Sequence, residues 1–134
     1  MKVSKYLLTI DSPEDTIQVP QFIENVTAVR IRWLSYTTKT LSTSQRVLVL
    51  KTNLHDDGTI LLPHGNNRSY LFSFPIGNQS DTINTYTNFF DDPDIVYSHP
   101  KSFSALEFAV HVDNYIFNEI DEQNPITMEL YFYH

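Results

Sequence analysis

Residues 102–113 read SFSALEFAVHVD. From Phe103 to Asp113 apolar side chains alternate with polar or small ones, which is the pattern of a β-strand with one buried face. The C-terminal run 126–134, ITMELYFYH, repeats this alternation. The sequence therefore predicts that both runs pack against one hydrophobic core. The expected core residues are Leu106, Phe108, Val110, Val112, Ile126, Met128, Leu130, Phe132, Ile31 and Trp33.

Other segments rich in β-branched and aromatic residues are also predicted to be strands. They are Val3–Ile10, Thr16–Val19, a longer strand in which Val29, Ile31 and Trp33 alternate with Arg30, Arg32 and Leu34, Arg46–Leu54, Thr59–Leu62, Ser69–Ile76 and Thr82–Thr87. Turn residues separate these segments, and Asp57-Gly58 is typical of a hairpin turn. No segment carries a sustained helical stripe, and only 89–95 and 115–120 are left open as short helical turns. About eight strands without intervening helices predict one all-β domain, residues 1–134, folded as an antiparallel β-sandwich, namely a single jelly roll.

The composition excludes several classes of function. The 134-residue chain has no cysteine, which excludes disulfides and thiolate metal sites, and its three glycines are too dispersed for a Gly-rich phosphate loop. Its net charge of −7 has the wrong sign for a typical nucleic-acid-binding protein. Because no run is long and apolar enough for a membrane span or a secretory signal, we expect no membrane span and synthesis in the cytosol.

Histidines and carboxylates offer only fragments of a metal site. His111 and Asp113 are two residues apart on one strand, with Glu119 further along, but the alternation places His111 on the side opposite the apolar face. The acid-rich turns 11–15 and 91–94 lack the spacing of an EF-hand, and aspartate beside proline is an ordinary turn former. We therefore predict no metal, cofactor or catalytic residue. The sequence also lacks a G-x-S-x-G nucleophile motif, so we expect no enzyme activity.

Aromatic residues are the most informative excess in the chain. It contains eight tyrosines, nine phenylalanines and one tryptophan, more than one core of this size requires. Tyr131 and Tyr133 alternate with core residues of the last strand, and tyrosine on an exposed sheet face suits a protein interface or a sugar-binding platform. Arg30 and Arg32 share one side of the Trp33 strand, where they fit contacts with neighbouring carboxylates. Tyr131, Tyr133, Arg30 and Arg32 are therefore the candidate interface residues.

Three segments carry a resemblance to a known family. They are IDSPEDT followed by VPQFIENVTAVRIRWLSYTT (residues 10–38), SFSALEFAVHVDN (102–114) and NEIDEQNPITMELYFYH (118–134). This arrangement of strands and turns resembles the single jelly-roll proteins in the shells of tailless double-stranded DNA viruses and virophages, including their penton and minor capsid proteins. The resemblance implies a structural subunit of a virion, made in the host cytoplasm, that assembles into a homo-oligomer such as a trimer or pentamer and contacts other capsid proteins. The chain has no basic N-terminal arm, so direct contact with nucleic acid is not expected.

Two other functions fit the same fold class, because β-sandwiches host many activities. A carbohydrate-binding or attachment module would stack sugar rings on exposed tyrosines. A cupin-like enzyme would hold a metal ion in the interior. We expect the assembly function, and with it a protein that is not a monomer.

Overall fold

A computed structural model describes residues 2–37, 46–54, 59–60, 68–69, 72–76, 83–88, 92–112, 115–116 and 120–134. All regular secondary structure in these residues is β-strand, and every pairing is antiparallel. The strands are β1 (Val3–Ile10), β2 (Glu14–Thr37), β3 (Arg46–Thr52), β4 (Thr59–Ile60), β5 (Arg68–Ser69), β6 (Phe72–Ile76), β7 (Ile83–Thr87), β8 (Ile95–Val112), β9 (Tyr115–Ile116) and β10 (Ile126–Tyr133). The all-β, antiparallel prediction is confirmed.

The main sheet has the order β1-β10-β2-β8-β3-β6, with β7 bonded to β2 and β9 bonded to β8. The long strands β2 and β8 each run through two parts of this sheet. The first part of β2, residues 14–18, pairs with residues 105–109 of β8. On its other side β8 pairs with β3 through residues 108–112. The second part of β2 pairs with β10 on one side, and with β7 and the start of β8 on the other. We term the part around β1, β10 and the second part of β2 the β1 half, and the part around β3 the β3 half.

The two halves meet where the pairing of β2 with β8 is irregular. The register shifts three times between Gln18 and Ala28. Pro20 and Pro100 fall in this stretch, and proline removes a ladder N–H group. Asn25 has a φ of 54°, in the left-handed region that asparagine tolerates better than most residues. Because register shifts of this kind bend strands, the arrangement is consistent with a β-sandwich whose halves enclose one core.

Strand bounds differ from the prediction mainly in the two long strands. Thr16–Val19 and the strand around Trp33 were expected to be separate, but both belong to β2. The predicted strand from Phe103 is the second part of β8, which begins at Ile95. The sequence pattern misses these continuities because polar and proline residues interrupt the alternation where the strands are irregular. By contrast, β1 has the predicted bounds.

Some predictions fall outside the described residues. These are the Asp57-Gly58 hairpin, residues 89–91 of one candidate helical turn, Asp113, Glu119 and the side chain of Val112. In the other segment left open as a helical turn, 115–120, Tyr115–Ile116 form β9 and pair with the end of β8. These two residues are therefore extended, whereas residues 117–119 of the segment lie outside the described part of the chain.

One hydrophobic cluster extends through both halves of the sheet. Every predicted core residue whose side chain is described is buried, with the exception of Trp33. The confirmed residues are Ile31, Leu106, Phe108, Val110, Ile126, Met128, Leu130 and Phe132. Leu48 and Leu50 from β3 and Ile10 from β1 join the same cluster. A further link is the hydroxyl of Tyr97 in β8, which donates to the carbonyl O of Leu54 just after β3, at 2.8 Å.

The prediction that Trp33 lies in the core is wrong, because it is half-buried on the other side of the sheet. The register of β2 against β10 shifts between Glu129 and Leu130, which leaves Arg32 as an extra residue in β2. One extra residue in a strand transfers every following side chain to the opposite face. Leu34 therefore takes the core position that the alternation had assigned to Trp33.

Candidate assembly surface

The side chains of the β1 half that point away from the core form a surface that we term the outer face. Its members come from three neighbouring strands and are Val3, Lys5, Leu7 and Thr9 of β1, Thr127, Glu129, Tyr131 and Tyr133 of β10, and Ala28, Arg30, Trp33 and Ser35 of β2. The register aligns them in rows, such as Val3, Tyr133 and Ala28, with Val96 of β8 next in the row. Leu7 is 65% exposed and Val96 is 63% exposed. This face therefore presents apolar and aromatic side chains at its surface.

The Tyr131 ring lies between two cationic side chains. The Lys5 Nζ atom lies 4.9 Å from the centroid of its ring, and the Arg30 Cζ atom lies 5.6 Å from it. Both distances are within the range of a cation–π interaction, and the two cations come from the strands on either side of β10. A hydrogen bond to Glu129, with burial and the charge of Glu129 as smaller causes, raises the pKa of Tyr131 against the opposing effect of nearby arginines. The Tyr131 ring is thus contacted by cations from both neighbouring strands.

The two candidate interface arginines make contacts within the chain. Arg30 Nη2 donates to the carbonyl O of Asn88 at 2.6 Å, and Arg32 Nη1 donates to the same oxygen at 3.2 Å. Arg30 is only 5% exposed, whereas Arg32 is half-buried. Their shared contact fixes the chain just after β7 against β2. A role of either arginine at an interface between subunits stays a prediction.

Asp94 completes the hydrogen bonding of β2 where the chain passes from β7 to β8. Its backbone N–H donates to the carbonyl O of Val29 at 2.9 Å, and its Oδ2 accepts from the backbone N–H of Ile31 at 2.6 Å. Its Oδ1 accepts from the Tyr86 hydroxyl at 3.0 Å. Burial, followed by the hydrogen bond to Asp94 and its charge, raises the pKa of Tyr86 to about 12. The carboxylate therefore stands in for a strand carbonyl, since a buried N–H requires an acceptor.

The candidate metal ligands of the sequence are not brought together in the described part of the chain. Both carboxylate oxygens of Asp94 accept hydrogen bonds from the protein. His111 is half-buried on the side of β8 away from the core, as the alternation predicts, and pairs with Val49 of β3. Among the described residues, no group of three histidine, aspartate or glutamate side chains could hold a metal ion.

A concave surface lies on the β3 half. It is an open groove of about 670 Å³ at the junction of β2, β3 and β8, with Glu14, Lys51 and Glu107 among its lining residues. Asn53 fixes one wall, because its Nδ2 donates to the carbonyl O of Ala105 at 2.9 Å and its Oδ1 accepts from the Glu107 N–H at 3.0 Å. The groove therefore carries charges of both signs.

Sequence reasoning missed two residues of this region, Lys5 and Asp94. The position of Lys5 beside Tyr131 follows from the pairing of β1 with β10, which joins the two ends of the sequence. The sequence presents Asp94 as a turn former in an acidic segment, with calcium binding as the less favoured alternative. Its neighbour Pro93 and its distance from the β2 strand in sequence gave no signal that it bonds to Ile31.

No family model, curated protein or solved structure matches this chain. Within the residues that the structure describes, no helix is long and apolar enough to cross a membrane. The function proposed for the chain therefore depends on its own sequence pattern and geometry.

Proposed function

We propose that this chain is a non-enzymatic structural subunit of a viral capsid, a single jelly-roll protein that assembles with copies of itself and with other shell proteins. The virion is then its place of action, after synthesis in the host cytoplasm. The observation that carries the assembly proposal is the outer face, on which exposed apolar and half-exposed aromatic side chains follow one another across neighbouring strands.

The strand order supports the jelly-roll part of this proposal. In a jelly roll, the first, eighth, third and sixth strands form one sheet, and the second, seventh, fourth and fifth form the other. Eight strands result if β2 and β8 are each counted as two and the short strands β4, β5, β7 and β9 are left out. The β1 half then contains β1, β10, the second part of β2 and the start of β8, in that order. The β3 half contains the first part of β2, the second part of β8, β3 and β6. Counted in this way, the two orders support the proposal of a jelly roll.

Fold alone does not select the function, since jelly rolls occur in capsids, lectins and cupins. The outer face favours assembly because contiguous exposed apolar surface marks contacts with other molecules. Tyrosine and tryptophan are enriched in protein interfaces, and this face carries Tyr131, Tyr133 and Trp33. Their partial exposure leaves area to bury against a partner.

The carbohydrate-binding alternative requires a different environment around the same tyrosines. A sugar platform needs an aromatic ring with an open face. Two cations, from Lys5 and Arg30, already lie over the Tyr131 ring. This arrangement favours Tyr131 as a fixed contact at a protein interface over Tyr131 as a stacking platform.

Light scattering after size-exclusion chromatography tests the proposal directly. At micromolar concentration we expect a mass several times the 15.6 kDa of one chain, and closed rings in negatively stained images. Tyr131→Ala and Tyr133→Ala should lower this mass while circular dichroism remains that of a folded β protein, because both side chains lie outside the core.

Phe22→Ala is the matched control, since Phe22 is an exposed aromatic residue of β2 outside the outer face. Its mass should equal that of the unaltered protein. A protein that stays monomeric at all concentrations would contradict the assembly proposal. A monomer that binds an oligosaccharide, and loses it on Tyr131→Ala, would instead support the carbohydrate-binding alternative.

A further inference from the structure

β1 lies at one end of the strand order, and no strand among the described residues pairs with its far side. The N–H of His134 donates to the carbonyl O of Lys2 at 3.0 Å, so the even-numbered residues of this strand bond to β10. In an antiparallel ladder successive residues bond to opposite sides. The backbone groups directed to the open edge therefore belong to the odd-numbered residues Val3, Lys5, Leu7 and Thr9.

This edge has few of the features by which proteins prevent edge-to-edge pairing. β1 contains no proline, and its register with β10 is continuous from Val3 to Ile10. Short, bulged or proline-containing edge strands discourage pairing, and so do charged side chains, lysine above all. Lys5 is the single charged residue of β1. A strand that pairs here is therefore favoured when it places an acidic residue opposite Lys5.

We propose that the open edge of β1 pairs, antiparallel, with β1 of a second copy of this chain, about a two-fold axis at Leu8. This contact deepens the proposed assembly function and rests on it. In this register Lys5 of each copy lies opposite Asp11 of the other, the residue that directly follows β1, and both residues are exposed. Leu7 lies opposite Thr9, and both direct their backbone groups to the open edge. A register centred on Lys5 would place two lysines opposite each other, which is unfavourable.

The same contact joins the outer faces of the two copies into one surface. The outer-face side chains of β1 are those of the odd-numbered residues, and Val3 and Leu7 among them are exposed apolar residues. A two-fold contact is self-complementary, so one strand supplies both sides of it. The two-fold pair of strands would then link separate rings of subunits in a shell.

A proline substitution separates the edge contact from every other contact. Thr9→Pro removes an N–H that points to the open edge, leaving the hydrogen bonds between β1 and β10 in place. Each two-fold pair then loses two hydrogen bonds, and we expect its dissociation constant, measured by analytical ultracentrifugation, to rise about tenfold to a hundredfold. Thr9→Ala keeps the N–H and should leave the constant within about threefold of the original. An unchanged melting temperature verifies that the proline variant is folded.

A charge exchange tests the register independently of proline. Lys5→Glu and Asp11→Lys should each weaken the two-fold contact, because each places like charges opposite one another. The double variant K5E/D11K should restore association. Lys5 and Asp11 of one chain are six residues apart along extended or nearly extended chain, a distance of about 20 Å, so restoration requires the residues to meet between copies.

The outcomes distinguish the edge contact from assembly as such. If the unaltered chain is oligomeric and neither Thr9→Pro nor the charge variants change its mass, the edge contact is refuted while the assembly proposal stands. If the unaltered chain is monomeric at every concentration, both are refuted. Loss of association in Thr9→Pro, together with restoration in the double variant, supports the two-fold contact in the stated register.

Discussion

The β1–β10 ladder and the β2–β8 ladder hold antiparallel strands together in two different ways. β1 and β10 pair over Val3–Ile10 without a register shift. β2 and β8 shift register three times, and side chains complete the bonding around that stretch, with Ser102 Oγ accepting from the Asn25 N–H and Asp94 accepting from the Ile31 N–H. Where the register is continuous, the backbone groups of neighbouring strands bond to one another, and burial determines which side chains face the core. Where the register is broken, polar side chains bond to backbone groups that the neighbouring strand does not pair with.

The largest expected effect is in the regular ladder, on its core side. Phe132 is fully buried. The centroid of its ring lies 5.6 Å from that of Tyr6, in an edge-on arrangement, and 6.3 Å from that of Phe103. We expect Phe132→Ala to lower the free energy of unfolding by about 3–5 kcal/mol, measured by chemical denaturation. Tyr133→Ala, at the adjacent outer position, should cost about 1 kcal/mol or less when the protein is kept dilute. Equal losses would show that the two faces of β10 are assigned wrongly.

A pair of neighbouring substitutions tests the bulge at Arg32. Leu34 is fully buried, whereas Trp33 is half-buried on the outer face. Leu34→Ala should therefore destabilise the protein by about 2–5 kcal/mol, and Trp33→Ala should destabilise it less despite the larger side chain. Melting curves of the two variants under one set of conditions suffice for the comparison. A larger loss of stability for Trp33→Ala would contradict the bulge and support the simple alternation, with Trp33 in the core, that the sequence predicts for this strand.

The same contrast explains how much of the molecule could be predicted from its sequence. The bounds of β1 were predicted, but its faces do not follow from alternation, because the apolar residues Val3 and Leu7 lie exposed on the outer face. The core side of β10 follows from alternation, because its apolar residues recur with a period of two. The position of Trp33 does not, since a bulge depends on how β2 meets β10 and leaves no mark in the local pattern. The outer-face tyrosines were predicted as surface residues. Their neighbours Lys5 and Arg30 depend on strand pairing across the whole chain, which local patterning does not contain.

A smaller effect is expected at the irregular ladder, where Asp94 replaces a strand carbonyl. Asp94→Ala leaves the N–H of the buried residue Ile31 without its acceptor, and we expect a loss of about 1–3 kcal/mol. Asp94→Asn keeps one side-chain oxygen and should cost less. Hydrogen exchange at the Ile31 amide provides a local measurement, and it should accelerate more in the alanine variant. Equal exchange in both variants and in the unaltered protein would mean that Asp94 does not protect this amide.

The last effect is a dependence on pH at the same junction. Burial and the hydrogen bond to Asp94 raise the pKa of Tyr86 to about 12, above its ordinary value of 10.0. Because the folded state favours the neutral phenol, Tyr86 contributes stability that is fully present below the unfolded pKa and is lost as the pH rises from about 10 to about 12. The measurement is the difference in unfolding free energy between the unaltered protein and Tyr86→Phe at each pH, because contributions common to both proteins cancel in it. We expect this difference to shrink between pH 10 and pH 12 and to stay constant at neutral pH. A difference that does not vary with pH would show that Tyr86 titrates alike in both states, and that the bond to Asp94 does not hold its proton.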